Sequence, residues 1–310
     1  MPKAEVRLDE AVCTWREAGA FLSWPQGDCS IFCRDIGNAS APADQTALII
    51  HGFPESSFSF HKIVDRLSKH FERIVLVDFP GFGLSDKPER LTYSLLEQAD
   101  ALMWAWQHLK IRGGHVISHD MGDSVATEIV ARAVQGLLPA WFDAGVQSLT
   151  LTNGNMVMEE AALVVMQVLL RNHTLGPFLN RFSGPALFRN QVRKANGAPL
   201  ETLDIDRMWQ LNTLQKGHRL TWKTIRYLDD RNRFQNTRWL KALSQFDRPV
   251  HICWGEADAV APVAVAHHLK AHVCPDASLT LMPGVGHFCQ LQAPDVWAEA
   301  VLGFIKNLTP

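Results

Sequence analysis

Tyrosine is scarce in this sequence: the 310 residues contain two, Tyr93 and Tyr227. Chemistry that needs a phenolic proton donor therefore has two candidates at most. The six cysteines (Cys13, Cys29, Cys33, Cys253, Cys274, Cys289) include no CxxC pair. In a chain this long, such scatter excludes a disulfide framework or a zinc site and reads as reduced thiols in a cytoplasmic protein. Cys289, close to His287, reads as a packing thiol. An excess of charge is missing as well, with Lys plus Arg 30 against Asp plus Glu 32 and a net charge of −2. That balance gives no reason to expect nucleic acid or a membrane as a partner. The stretch Met1 to Arg7 lacks the apolar core of a signal peptide. The longest apolar run, Ala161 to Leu170, is interrupted by Gln167 and is too short to span a bilayer. No repeat and no low-complexity tract is present. Nothing in the spacing of His, Cys, Asp and Glu calls for a metal or a cofactor.

What remains is a globular composition, 47% hydrophobic and 20% charged, compatible with a sizeable core. Short segments at Phe21–Trp24 and Cys29–Phe32, separated by Pro25-Gln26-Gly27-Asp28, predict a hairpin at a sheet edge. Runs apolar on both faces follow at Thr46–Ile50, Ile74–Val77, Val116–Ile117, Val146–Leu151, Val250–Trp254 and Ser278–Met282. They alternate with helix-period stretches at Phe60–Phe71, Ser94–Leu109, after Asp120, and Pro294–Leu308. Such alternation predicts an α/β protein with a largely parallel sheet and helices on both faces. The rhythm fails between Asn153 and Phe246. Helices are expected there over Ala161–Leu170, Met208–Gln215 and Leu220–Asn232, with Gly-Pro breaks at Gly176 and Gly184. Residues 153–246 therefore read as a helical cap inserted into a core of residues 1–152 and 247–310.

The most informative stretch is Val116-Ile117-Ser118-His119-Asp120-Met121-Gly122-Asp123-Ser124. A buried strand runs into small-x-acid-x-small and then into a helix (Val125, Ile129, Val130, Ala133). This is the shape of a nucleophile elbow. Its central residue is Asp rather than Ser, and that changes the chemistry. A serine needs a base to become nucleophilic, whereas an aspartate is ionised at neutral pH, and a helix N-terminus favours its charge further. Carboxylate attack on an ester gives an anhydride, a poor intermediate. Attack on a tetrahedral carbon with a leaving group gives an ester that a histidine-activated water can cut. An Asp elbow thus points to epoxides or alkyl halides. The competing reading is a helix N-cap aspartate with no chemistry.

Ligands of open α/β sheets bind beyond the carboxyl ends of the strands, and four such ends carry polar residues: His51-Gly52-Phe53-Pro54, Asp120, Asp258 and His287. The order nucleophile, acid, histidine matches Asp120, Asp258, His287. His287 would be the general base. Asp258 would orient it, with Glu256 and Asn153 as rivals. Backbone N–H groups of Phe53 and Met121 could form an oxyanion hole. Glu55 reads as structural. Asp123 is an unusual second carboxylate, expected to bond amides or a partner in the first helical turn. His51, Phe178, Phe182 and Trp209 are candidates to line an apolar pocket.

With these motifs in place, the chain resembles the α/β-hydrolase superfamily over nearly its full length, which implies a mostly parallel eight-stranded sheet with a helical cap. His51-Gly52-Phe53-Pro54-Glu55-Ser56, Asp78-Phe79-Pro80-Gly81-Phe82-Gly83-Leu84-Ser85-Asp86-Lys87-Pro88 and the Asp elbow look like the epoxide hydrolase and haloalkane dehalogenase branch. The elbow and the segment Tyr227 to Trp239 are also similar to the mesoderm-specific transcript protein subgroup. The resemblance implies Asp120 as nucleophile, His287 as water-activating base, Asp258 as its partner, and Tyr227 as donor to an epoxide oxygen. That branch normally supplies two such tyrosines. Here His173, His218 or a tryptophan N–H would have to stand in for the second. Dehalogenases usually hold the halide with a Trp after the nucleophile, where this chain has Met121. The expected substrate is a small to medium apolar molecule, with water. A dehalogenase, and a binding protein of the same fold without turnover, are the alternatives.

Overall fold

The computed structural model describes residues 8–163 and 165–308. The hairpin forms as its turn residues require: β1 (Ala20–Trp24) pairs antiparallel with β2 (Cys29–Gly37). β2 then pairs antiparallel with β4 (Arg73–Val77). Every later pairing is parallel, through β3 (Thr46–Ile50), β5 (Gly113–Ser118), β6 (Gly145–Thr152), β7 (Val250–Gly255) and β8 (Ser278–Met282). The spatial order is β1-β2-β4-β3-β5-β6-β7-β8. β3, β4, β5 and β7 are buried at every position. This is the physical content of their unbroken apolar runs, since a strand covered by helices on both faces has no polar side to show.

One face of the sheet packs on the helices Leu95–His108 and Met121–Val134, through Leu102, Trp106, Val125 and Ile129. The other packs on Pro294–Lys306 through Trp297, Val301 and Phe304. Ser94 caps its helix by accepting a hydrogen bond from the Glu97 amide, so that start is written in the sequence.

Between β6 and β7 the described residues form only helices and turns, and here several expected elements change. Of the expected Ala161–Leu170 helix, residues 161–163 are not helical, the Ala162 amide being donated across to the Val260 carbonyl, residue 164 lies outside the described residues, and Val165–Arg171 is helical. The Met208 helix starts earlier and spans Thr202–Thr213. The Leu220–Asn232 helix is two pieces, Thr221–Thr224 and Tyr227–Phe234. At the junction the Arg226 and Leu228 amides bond three residues back rather than four, which tightens the turn and breaks the helix. Early in the chain, Phe60–Phe71 shrinks to Ser57–Phe60 and Val64–Leu67 for the same reason.

All six cysteines are unpaired thiols. Among the described residues no helix is long and apolar enough to cross a membrane.

Candidate active site

Asp120 stands at the turn between β5 and the helix Met121–Val134 with φ 48° and ψ −111°. A positive φ at a residue with a Cβ is strained and persists only where the surroundings enforce it. The enforcement is visible at Gly122, where an added Cβ would lie 2.6 Å from the His51 carbonyl oxygen, and at Gly52, where it would lie 2.7 Å from the Asp120 Cβ. Only glycine lets the two turns close on each other. Asp120 occupies the N-cap position, yet its side chain caps no helix amide. Instead Oδ2 accepts a hydrogen bond from the Phe53 N–H at 2.9 Å. The simple N-cap reading therefore fails. The Phe53 amide thus faces the Asp120 carboxylate, and Met121, as first residue of the helix, has an amide from the set that helices leave unbonded.

His287 follows β8 and Asp258 follows β7. The His287 Nδ1 bonds Asp258 Oδ2 at 2.7 Å, and both side chains are buried. The other Asp258 oxygen accepts from the Val260 and Ala261 amides. Asn153, the rival, bonds Asp258 and not His287: its Nδ2 donates to Asp258 Oδ2 at 2.7 Å while its Oδ1 accepts from the Gly255 N–H. Glu256, the other rival, points to solvent. Burial lowers the affinity of His287 for a proton, but the charge and hydrogen bond of Asp258 outweigh it, so its pKa lies above the usual histidine value.

Arg231 was not anticipated from the sequence. Its guanidinium is 1% exposed. Nη2 donates to the Asp120 backbone carbonyl at 2.8 Å and lies 3.6 Å from Asp120 Oδ1. Nε donates to Ser124 Oγ at 2.8 Å. The Arg231 Cζ also sits 4.7 Å from the ring centre of Tyr227, which in turn packs on Phe53 at 5.6 Å. Arg231 is four residues after Tyr227 on the helix Tyr227–Phe234, and that spacing puts both on one face. Burial pushes the Asp120 pKa up; the charges of Arg231, His287 and His119 and the Phe53 amide overcome this and hold it below the ordinary carboxylate value. These surroundings favour the charged form of the Asp120 carboxylate. Tyr227 is pushed in the opposite direction, burial raising its pKa, so it stays protonated and able to donate.

A second buried pair ties the elbow to His287. His119 Nδ1 bonds Glu55 Oε2 at 2.5 Å, and His119 Nε2 bonds the His287 carbonyl oxygen at 2.8 Å. Gln290 donates to the other Glu55 oxygen. Burial disfavours a charged His119, but Glu55 dominates and raises its pKa to about 9. A raised histidine pKa contributes stability that is complete below the ordinary value and is lost as pH rises through about 9. We expect stability to denaturant to fall over that interval by on the order of 3 kcal/mol. In Glu55→Gln the slope should flatten; an unchanged slope would mean that the pair does not carry the proton.

Asp123 is fully buried. Its Oδ1 accepts from Ser118 Oγ at 2.6 Å and from the Thr152 amide at 3.2 Å, while Oδ2 has no partner among the described residues. Burial raises its pKa to about 7 against those hydrogen bonds. Burial thus favours the neutral form of Asp123, against the two hydrogen bonds it accepts.

A cavity of about 180 Å³ opens over Asp120 and His287. Tyr227, Trp209 and Phe182 line it, together with Leu170, Phe188 and Val192. Two pocket candidates are corrected. His51 is buried below the cavity: Nδ1 donates to the Gly52 carbonyl and Nε2 accepts from the Phe79 amide. Both nitrogens are spent on holding the turn. Phe178 faces outward, 56% exposed, and packs edge-on against Phe182 at 5.4 Å. Of the possible second donors, His173 is exposed. His218 lines the cavity, and its Nδ1 has no partner among the described residues.

Comparison with known proteins places the fold in a family. The "Putative hydrolase LipZ" of Mycobacterium tuberculosis is 36% identical over 300 residues, covering 96% of this chain and 99% of that protein. The mesoderm-specific transcript homolog protein of Homo sapiens is 30% identical, covering 97% of this chain and 90% of that protein. Among solved structures, a haloalkane dehalogenase loop variant from Bradyrhizobium elkanii superposes with a TM-score of 0.74 at 18% identity, covering 94% and 97% of the two chains; at that identity the likeness is one of fold. The alpha/beta hydrolase fold family model matches residues 47–294, and the chain belongs to that family.

Proposed function

We propose that this alpha/beta-fold hydrolase works through an ester on Asp120 and opens epoxides of apolar molecules. The observation that carries the reading is the Asp120 side chain itself. It is ionised, it caps no helix, one oxygen is held by the Phe53 amide, and it lines the same cavity as His287.

In the first step the unheld oxygen, Oδ1, attacks an epoxide carbon. The ring C–O bond breaks, and Tyr227 gives its proton to the departing oxygen. In the second step His287 takes a proton from water, Nδ1 being engaged by Asp258, and the hydroxide attacks Cγ of Asp120. The Phe53 and Met121 amides hold the tetrahedral oxyanion. Collapse breaks the Cγ–O bond to the alkyl group, the new hydroxyl on Cγ passes its proton to the departing alkoxide so that the diol leaves and the carboxylate returns, and the proton on His287 restores Tyr227 by way of solvent. An epoxide fits better than an alkyl halide because a protonated tyrosine is present in the cavity, while Met121 stands where a halide-binding Trp would be needed.

The test is turnover of aliphatic and aryl epoxides in oxygen-18 water. Solvent oxygen is expected in the Asp120 peptide after one turnover and in the diol only afterwards. Label that enters the diol directly, or multiple turnover by Asp120→Ala, would refute the scheme. Halide release from chloro- and bromoalkanes with no diol from any epoxide would move the assignment to a dehalogenase.

A further inference from the structure

The net charge of −2 hides a local asymmetry. Between Glu160 and Glu201 no acidic residue occurs, while Arg171, Arg181, Arg189, Arg193 and Lys194 do. Arg171 and Arg189 are paired with Asp229 and Asp206 from outside this stretch. Arg181, Arg193 and Lys194 have no carboxylate partner among the described residues.

The same stretch displays apolar side chains to solvent. Val165, Val168, Leu175, Phe178, Phe182 and Leu187 are exposed by 39% to 74%. The helices Val165–Arg171 and Leu175–Leu179 are locked together, with the Gly176 amide bonded to the Asn172 carbonyl and an added Cβ at Gly176 lying 2.2 Å from the Leu170 carbonyl oxygen. On the first helix Met166 and Leu170 face the cavity while Val165 and Val168 face out. A helix apolar on both faces belongs in a core or against lipid; this one is on the surface. Phe182 and Leu187 are both exposed and part of the cavity lining, so the apolar face is continuous with the cavity mouth.

From this we infer that the surface around the cavity mouth docks on an anionic lipid bilayer. Aromatic and aliphatic side chains that enter the interface while unpaired cations meet acidic headgroups form the pattern of a peripheral membrane surface. A second copy of this chain fits less well, since a two-fold contact would bring the same cations face to face. The inference does not depend on the Asp120 chemistry, and neither fails with the other.

Co-sedimentation of the full chain with vesicles tests it. Binding is expected to phosphatidylcholine vesicles containing phosphatidylserine, to weaken with salt, and to be at least tenfold weaker with phosphatidylcholine alone, given roughly fivefold per basic side chain at the lipid surface. Phe178→Ser with Phe182→Ser, and separately Arg181→Glu with Lys194→Glu, should abolish it, with thermal unfolding as the check that each variant is folded. No binding to acidic vesicles, equal binding to both vesicle types, or survival of binding in both folded variants would overturn the inference. So would a concentration-dependent dimer that Phe178→Ser with Phe182→Ser dissociates in the absence of vesicle binding.

Discussion

His287→Gln is expected to complete the first chemical step and then stop. Glutamine keeps much of the volume but cannot take a proton from water, so the ester on Asp120 forms and is not hydrolysed. Steady-state kcat should fall roughly 10⁴-fold or more, the scale seen when one member of a cooperating catalytic set is removed. Mass spectrometry of the peptide containing Asp120 should show a gain equal to the whole epoxide, with stoichiometry approaching one per chain. Asp258→Asn should give a milder version of the same trapping, because Asp258 orients the imidazole and stabilises its charge without touching water. If His287→Gln loses activity with no adduct on Asp120, His287 is needed before the ester forms and the two-step assignment is wrong.

Arg231→Met is the second large effect, and it acts on both stability and pH dependence. The Arg231 guanidinium lies 3.6 Å from Asp120 Oδ1, and both are buried. Removing one partner of such a pair leaves an uncompensated buried charge, at a cost of roughly 3–5 kcal/mol. In the wild type the depressed pKa of Asp120 contributes stability that is present above the ordinary carboxylate value and is lost as pH falls through the folded one. In the variant, burial prevails and the pKa rises. The stability gap between the two proteins should therefore be widest near neutral pH and narrow as the solution is acidified. The acid limb of ester formation should move upward in pH. Arg231→Lys keeps the charge but cannot bond Ser124 and the Asp120 carbonyl from one planar fork, so the pH limb should be largely restored while stability is only partly recovered. Equal destabilisation of Arg231→Met at every pH would show that Arg231 acts by packing alone.

The pocket lining shows where sequence reasoning loses its grip. His51 precedes the Gly-Phe-Pro turn at a strand end, a position from which a side chain can face a ligand. Its two nitrogens are instead consumed by Gly52 and Phe79, a partner pairing set by how the loop after β4 folds back. Phe178 and Phe182 differ by four residues, yet only Phe182 lines the cavity. Which side of a short helix faces inward depends on how it docks, and its own pattern, apolar on both sides, does not say.

What the sequence determined by itself was whatever is encoded by neighbours along the chain. The buried strands announced themselves as unbroken apolar runs. The elbow was legible because its small residues flank Asp120 at fixed positions. His287 was legible because it follows the last strand, at the same sheet edge to which the elbow strand delivers Asp120. Tertiary structure alone decided the rest. Asp258 is the preferred acid on paper with Glu256 as a rival two residues away, and only the folded chain turns Glu256 to solvent and Asp258 onto His287. The contact of Arg231 with Asp120 spans 111 residues, and the bond of Glu55 to His119 spans 64. Nothing local to an arginine in a polar helix marks it for burial. The charge becomes tolerable only when the chain has brought a carboxylate, a hydroxyl and a carbonyl around it, because a buried ion is stable only among partners that folding assembles.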